Sequence, residues 1–142
     1  MNTRTAPFSF AILPPMINSR QNAACGVSTS ANDNKIRLIV AGGASVGTST
    51  EVLIVNKVYS TKNNFKWEKG PDLPRDFIMG GSVSYMASGE WILVGGSDGI
   101  GKQHTDIIRY NKNANRFELL PGKLNIGRSG FGALLAQVSD KC

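Results

Sequence analysis

The chain has 142 residues, 16 of them glycine, with 41% apolar and 18% charged residues and a formal charge of +6, which is the composition of one ordinary folded domain. Its longest apolar runs, such as Val52 to Val55 and Ile92 to Val94, reach only strand length, excluding a membrane helix of about 20 apolar residues. Two distant cysteines, Cys25 and Cys142, and a single histidine, His104, supply no metal-ligand spacing, so no metal or other cofactor is expected.

The elements follow in chain order. Residues Met1 to Phe10 lack the apolar core of a secretory signal, so a cytoplasmic protein is expected, with an extracellular one as the alternative if a signal segment lies upstream. Phe8 to Pro15 reads as the tail of an earlier unit. A small-residue strand is expected over Ala23 to Ser28, with Cys25 as a buried free thiol. A polar turn, Thr29 to Asn34, leads to an apolar strand over Lys35 to Ala41 that ends in Gly42-Gly43. After a loop at Ala44 to Thr50, a strand is expected over Glu51 to Tyr59. The Asn-bearing turn Thr61 to Asn64 then leads into a short strand over Lys66 to Lys69.

A second set follows the loop Pro71 to Phe77. Strands are expected over Gly80 to Met86, Glu90 to Val94, Thr105 to Tyr110 and Arg116 to Leu120, with turns at Ala87 to Gly89 and Lys112 to Asn115. The loop Ser97 to His104 lies between the second and third of these, and Gly122 to Arg128 precedes another small-residue strand near Gly130 to Leu134. Lys57, Lys62, Lys66 and Lys69, the densest basic group, alternate with Asn63, Asn64 and Glu68. That mixture reads as a solvated edge, so neither nucleic acid nor membrane is an expected partner.

The two sets are copies. Gly42-Gly43, Tyr59 and Trp67 recur as Gly95-Gly96, Tyr110 and Phe117 at a period of about 50 residues, and Pro71 and Pro121 each lie four residues past the aromatic. From about Leu13 to Gln137 this order resembles the kelch motif: a small-residue strand opened by Arg, an apolar strand ending in Gly-Gly, a strand ending in Tyr and a strand begun by Trp. The resemblance implies an all-β fold, a partial β-propeller of four-stranded antiparallel blades, with strands A to D running outward from the axis. The organisation is then 1–15, tail of a preceding blade with an N-terminal extension; 16–71, the first repeat; 72–121, the second; and 122–142, the start of a further one.

A propeller needs at least four blades. Two full units would leave lateral faces open, so a truncated ring is expected, with a homo-oligomer that completes the ring as the less favoured reading.

On kelch propellers the resemblance places partners on the D-to-A and B-to-C loops, and an Arg opening strand A clamps an acidic group. Arg20 and Arg128 hold that position, while the second unit has Ile78 there and Arg75 three residues early, which breaks the pattern. Set against partner binding, the favoured use of these arginines is a hydrogen bond to a neighbouring blade's loop, since structural pairing is the commoner use. The docking set is Arg20, Ser45, Thr48, Arg75, Ser97, Asp98, His104, Arg128 and Ser129. Gly95 to Gly101 could suggest a phosphate cradle, but no helix follows, so it reads as a B-to-C loop. His104 with Asp106 lacks an assignable nucleophile, so no acid–base catalysis is expected.

The expected function is therefore a non-catalytic protein–protein interaction module binding a protein or peptide, with actin or ubiquitin-ligase association conceivable in a full-length protein. The alternative is a fragment of a galactose-oxidase-like kelch enzyme, whose copper is held by tyrosines and histidines.

Overall fold

The computed structural model describes residues 12–29, 35–56, 65–85 and 89–133. These contain eight strands and no helix: β1 (Ala24–Thr29), β2 (Lys35–Ala41), β3 (Thr50–Asn56), β4 (Trp67–Lys69), β5 (Gly81–Tyr85), β6 (Glu90–Val94), β7 (Asp106–Asn111) and β8 (Arg116–Lys123). They form two four-stranded sheets of sequential order, β1-β2-β3-β4 and β5-β6-β7-β8, antiparallel throughout. Short connections favour this order, because antiparallel neighbours need only a hairpin. Asn115 closes the β7–β8 hairpin with φ 48°, and its Oδ1 accepts the Tyr110 hydroxyl at 2.8 Å. The eight strands of the two sheets fall where the sequence pattern puts them, whereas the further small-residue strand expected near Gly130 to Leu134 is not formed in its described part, residues 130–133. Two limits differ: β8 runs past Pro121 to Lys123, beyond the expected unit boundary, and a register shift interrupts its pairing between Asp106 and Ile108. Tyr59 and the turns at 30–34, 61–64 and 86–88 lie outside the described residues.

The sheets pack through β1, which lies against β5 and β6. Alternation along β1 turns Ala24, Gly26 and Ser28 toward the second sheet. Trp91 of β6 is fully buried there, and its indole lies flat enough on Gly26 that an added Cβ would overlap it. Only glycine fits that crossing. Ser28 donates its hydroxyl to the Gly89 carbonyl at 2.8 Å and Ser82 donates to the Cys25 carbonyl at 3.1 Å.

The same alternation corrects the expectation for Cys25, which is exposed on the opposite side of β1. There, with Val27, Leu38, Val40 and Trp67, it borders an open hollow of about 390 Å³.

Buried apolar side chains form two clusters. One lies between the sheets and joins Ile39, Ala41 and Val52 of the first to Trp91, Leu93, Ile108, Tyr110 and Phe117 of the second. Phe117 meets Trp91 edge-on at 5.8 Å between ring centroids, an arrangement that satisfies the ring quadrupoles. The other, Val40, Leu53 and Trp67, lies on the far face of the first sheet under Met16, Ala23 and Phe65. Each sheet ends on the side away from the β1–β5 contact in β4, only three residues long, or in β8, which contains Pro121.

Candidate functional site

The β2–β3 and β6–β7 loops, together with the segments leading into β5 and following β8, are tied together along one edge. In each unit the Gly-Gly pair makes this possible: Gly42 and Gly43 have φ of 65° and 104°, Gly95 and Gly96 of 63° and 86°. At these angles the Gly43 amide reaches the Phe77 carbonyl at 2.8 Å and the Gly96 amide the Arg128 carbonyl at 2.9 Å. A Cβ on Gly42 would strike the Phe77 carbonyl. Leu73 and Leu124 each donate an amide back to the loop before them, to Thr48 and Thr105, at 2.8 Å. Loops held by so many backbone bonds are preorganised.

Arg20 does not face solvent. Its side chain and that of Glu51 are each 1% exposed and meet at 2.8 Å. The guanidinium also donates to the Gly42 carbonyl at 3.0 Å, the Ser49 carbonyl at 2.7 Å and the Ser49 hydroxyl at 2.9 Å. Glu51 additionally accepts the Ile17 and Asn18 amides at 2.7 and 2.9 Å. Burial raises the Glu51 carboxyl pKa, but the hydrogen bonds from Arg20, Ile17 and Asn18 outweigh it and the net displacement is downward. Arg20 thus fixes the β2–β3 loop onto its sheet rather than offering a charge to a partner.

Arg75 repeats this clamp, which corrects the reading of a broken pattern. It donates to Asp106 at 3.0 Å, to the Gly95 carbonyl at 2.8 Å and to the Asp76 carbonyl at 2.7 Å, and its guanidinium lies 5.9 Å from the Phe77 ring centroid. The first glycine of the pair and a carboxylate at the start of the third strand are the shared partners. Asp106 stands opposite Gly95 where Ser49 stands opposite Gly42, one pleat away from the place of Glu51 and on the same face. Extra residues before β5 let the arginine enter early, and the displaced acid receives it.

Asp106 also lies 3.8 Å from His104 Nδ1, and His104 Nε2 lies 3.4 Å from Asp98. Asp98 accepts the Ile100 and Lys102 amides at 3.1 and 2.9 Å. Burial raises its pKa, but these bonds and His104 hold it below the usual carboxylate value. The amides of the glycine-rich loop therefore converge on the loop's own carboxylate rather than on a vacant phosphate-sized cradle. Arg75, Asp98, His104 and Asp106 are brought into one row; Ser97 sits beside it, its hydroxyl 3.4 Å from the Ile78 carbonyl. Ser45 and Arg128 are exposed, and Thr48 and Ser129 are half-buried. Among the described residues, no three His, Cys, Asp or Glu side chains are grouped as metal ligands.

Three features were not anticipated from the sequence. Trp91 is the largest fully buried side chain, although the repeat marks only Tyr110 and Phe117 as structural aromatics. The ladder place of Tyr110, opposite Trp91 and beside Phe117, belongs in the first sheet to Leu53, which stands opposite Leu38 and beside Trp67. Finally, Asn22, Met79 and Gly130 all have positive φ, at 58°, 55° and 68°. Met79 donates its amide to Asn22 at 3.0 Å, and Gly130 donates to Met79 at 2.6 Å. One backbone relay thus links the segments that precede β1 and β5 with the segment that follows β8.

Neither a family model nor a curated protein sequence matches the chain. Among 35 matching chains of solved structures, the structure of YjhT aligns with a TM-score of 0.65 and 18% identity over 89% of this chain and 34% of that one. The chain thus spans about a third of the length of that structure, and a likeness at this identity establishes the fold alone.

Proposed function

We propose that the chain is part of a kelch-type interaction module, a section of a β-propeller that presents its loop edge to a protein or peptide and performs no catalysis. The observation that carries this reading is the tying of four loop segments along one edge by backbone hydrogen bonds. Arg20 and Arg75 are spent within that framework. The contact surface is therefore formed by the exposed side chains Ser45, Lys102, Gln103 and Arg128, whose two cations favour an acidic segment as ligand.

The test compares three immobilised proteins: the unaltered chain, a loop-edge variant carrying Lys102→Glu and Arg128→Glu, and a variant of the opposite edge, Asn113→Glu. Specific capture of a protein by the first and third, lost in the second, is the expected result. Equal retention by all three overturns the assignment of the docking edge. Stoichiometric copper bound by the purified protein would instead support the galactose-oxidase-like alternative.

A further inference from the structure

The β6–β7 loop is longer than its counterpart in the first sheet. Residues 44–48 separate Gly43 from Ser49, whereas 97–105 separate Gly96 from Asp106, which hold the equivalent places. The added length is folded onto one side chain. Asp98 accepts the Ile100 and Lys102 amides through Oδ1 and turns Oδ2 to His104 Nε2 at 3.4 Å. On its other side His104 Nδ1 stands 3.8 Å from Asp106 Oδ2, the oxygen that accepts from Arg75 at 3.0 Å. The loop tip, β7 and the segment before β5 thus meet at one imidazole, and the chain has a single histidine.

Donor counting makes this position proton-dependent. An ionised carboxylate only accepts, and a neutral imidazole carries one N–H. It can donate toward Asp98 or toward Asp106, and its other nitrogen then turns a lone pair on a carboxylate oxygen. The imidazolium has an N–H on each side and attracts both acids. The His104, Asp98 and Asp106 side chains are mostly shielded from water, so this attraction is only partly screened. Neighbouring charges do not supply the second donor. Arg75 is engaged with Asp106 and with the Asp76 and Gly95 carbonyls, Lys102 is exposed, and the Asp76 carboxylate adjoins the loop at Gly99 and adds negative charge. The segment after β8 meets the Gln103 and His104 backbone through Gly127, which is uncharged.

We infer that His104 is a proton-operated latch on the β6–β7 loop. Doubly protonated, it ties Asp98 at the tip to Asp106 at the start of β7; with one ring proton it releases one of the two. Because Asp98 holds the Ile100 and Lys102 amides, closing the latch shields those amides and stiffens the stretch that carries Lys102 and Gln103. A stiffer loop loses less freedom when a partner binds, so capture should strengthen on acidification. That consequence rests on the docking edge proposed above; the latch itself does not.

Nuclear magnetic resonance on the whole chain tests this. The imidazole of the one histidine gives its titration curve, and the exchange of the Ile100 and Lys102 amides with water, corrected for its intrinsic pH dependence, is followed over the same range. Protection should rise about three- to tenfold as His104 takes up its proton, the yield of two partly screened ion pairs, and should share the midpoint of the imidazole curve. His104→Gln has no ring to charge, and its protection should be flat. In Asp98→Asn the side-chain oxygen still accepts the amides but carries no charge, and the rise should vanish as well. Protection in the parent that ignores the imidazole titration overturns the inference, as does a rise that persists in either variant. Flat exchange with partner capture at the loop edge intact removes the latch alone; a normal exchange response with equal capture by the loop-edge variant removes the docking edge alone.

Discussion

Replacing Arg20 with methionine leaves Glu51, 1% exposed, as a carboxylate inside the fold with only the Ile17 and Asn18 groups to solvate it. Removing one partner of a buried pair costs about 3–5 kcal/mol. That is a large share of the roughly 5–15 kcal/mol that holds a domain folded. With a urea dependence of about 2 kcal/mol per molar, the unfolding midpoint should fall by about 1.5–2.5 M. Combining Arg20→Met with Glu51→Leu should recover most of the loss, because both charges are then spared desolvation.

The pair also sets a pH dependence. Hydrogen bonds hold Glu51 below its ordinary value of 4.5 in the folded state, so below that value the unfolded chain binds the proton more readily. The stabilisation is therefore complete above about 4.5 and is lost as pH falls through the folded pKa. Arg20→Met should flatten this acid limb. A midpoint shift corresponding to less than about 1 kcal/mol, the size of a solvated surface pair, together with parallel acid limbs in parent and variant, would refute the argument.

Gly26→Ala forces a methyl group into the fully buried Trp91 ring and should destabilise by about 1–3 kcal/mol, as overpacking does. Unchanged stability with an unchanged tryptophan circular dichroism signal would show that the sheets do not meet there. Met79→Gly should do the reverse. A left-handed φ of 55° on a 44% exposed methionine carries about 1–2 kcal/mol of strain, which exceeds glycine's added chain entropy of roughly 0.5–1 kcal/mol. The melting temperature should rise by a few degrees; a fall would mean that the relay needs the methionine side chain.

The strands were legible because alternation and glycine punctuation act locally. Gly42-Gly43 and Gly95-Gly96 mark where the second strand of each sheet leaves its ladder, and Asn115 marks a left-handed turn. What escaped depends on contacts between distant residues. Arg75 reads as misplaced until Asp106 is seen to be displaced with it. Aligning Tyr59 with Tyr110 follows chain spacing, whereas the ladder matches Leu53 to Tyr110, because hairpins of unequal length uncouple position in sequence from position in the sheet. Trp91 could be ranked as a core residue only once Gly26 lay beneath it. Cys25 was misjudged for a related reason, since β1 has two faces and only one meets the neighbouring sheet.

The short β4 and the proline within β8 bear on how molecules of this protein meet one another. A strand of three residues offers an incoming chain almost nothing to pair with. Pro121, on the rim, lacks the N–H that a continuous cross-strand ladder would require. The β4 and β8 edges therefore resist templated strand addition, the route to fibrils.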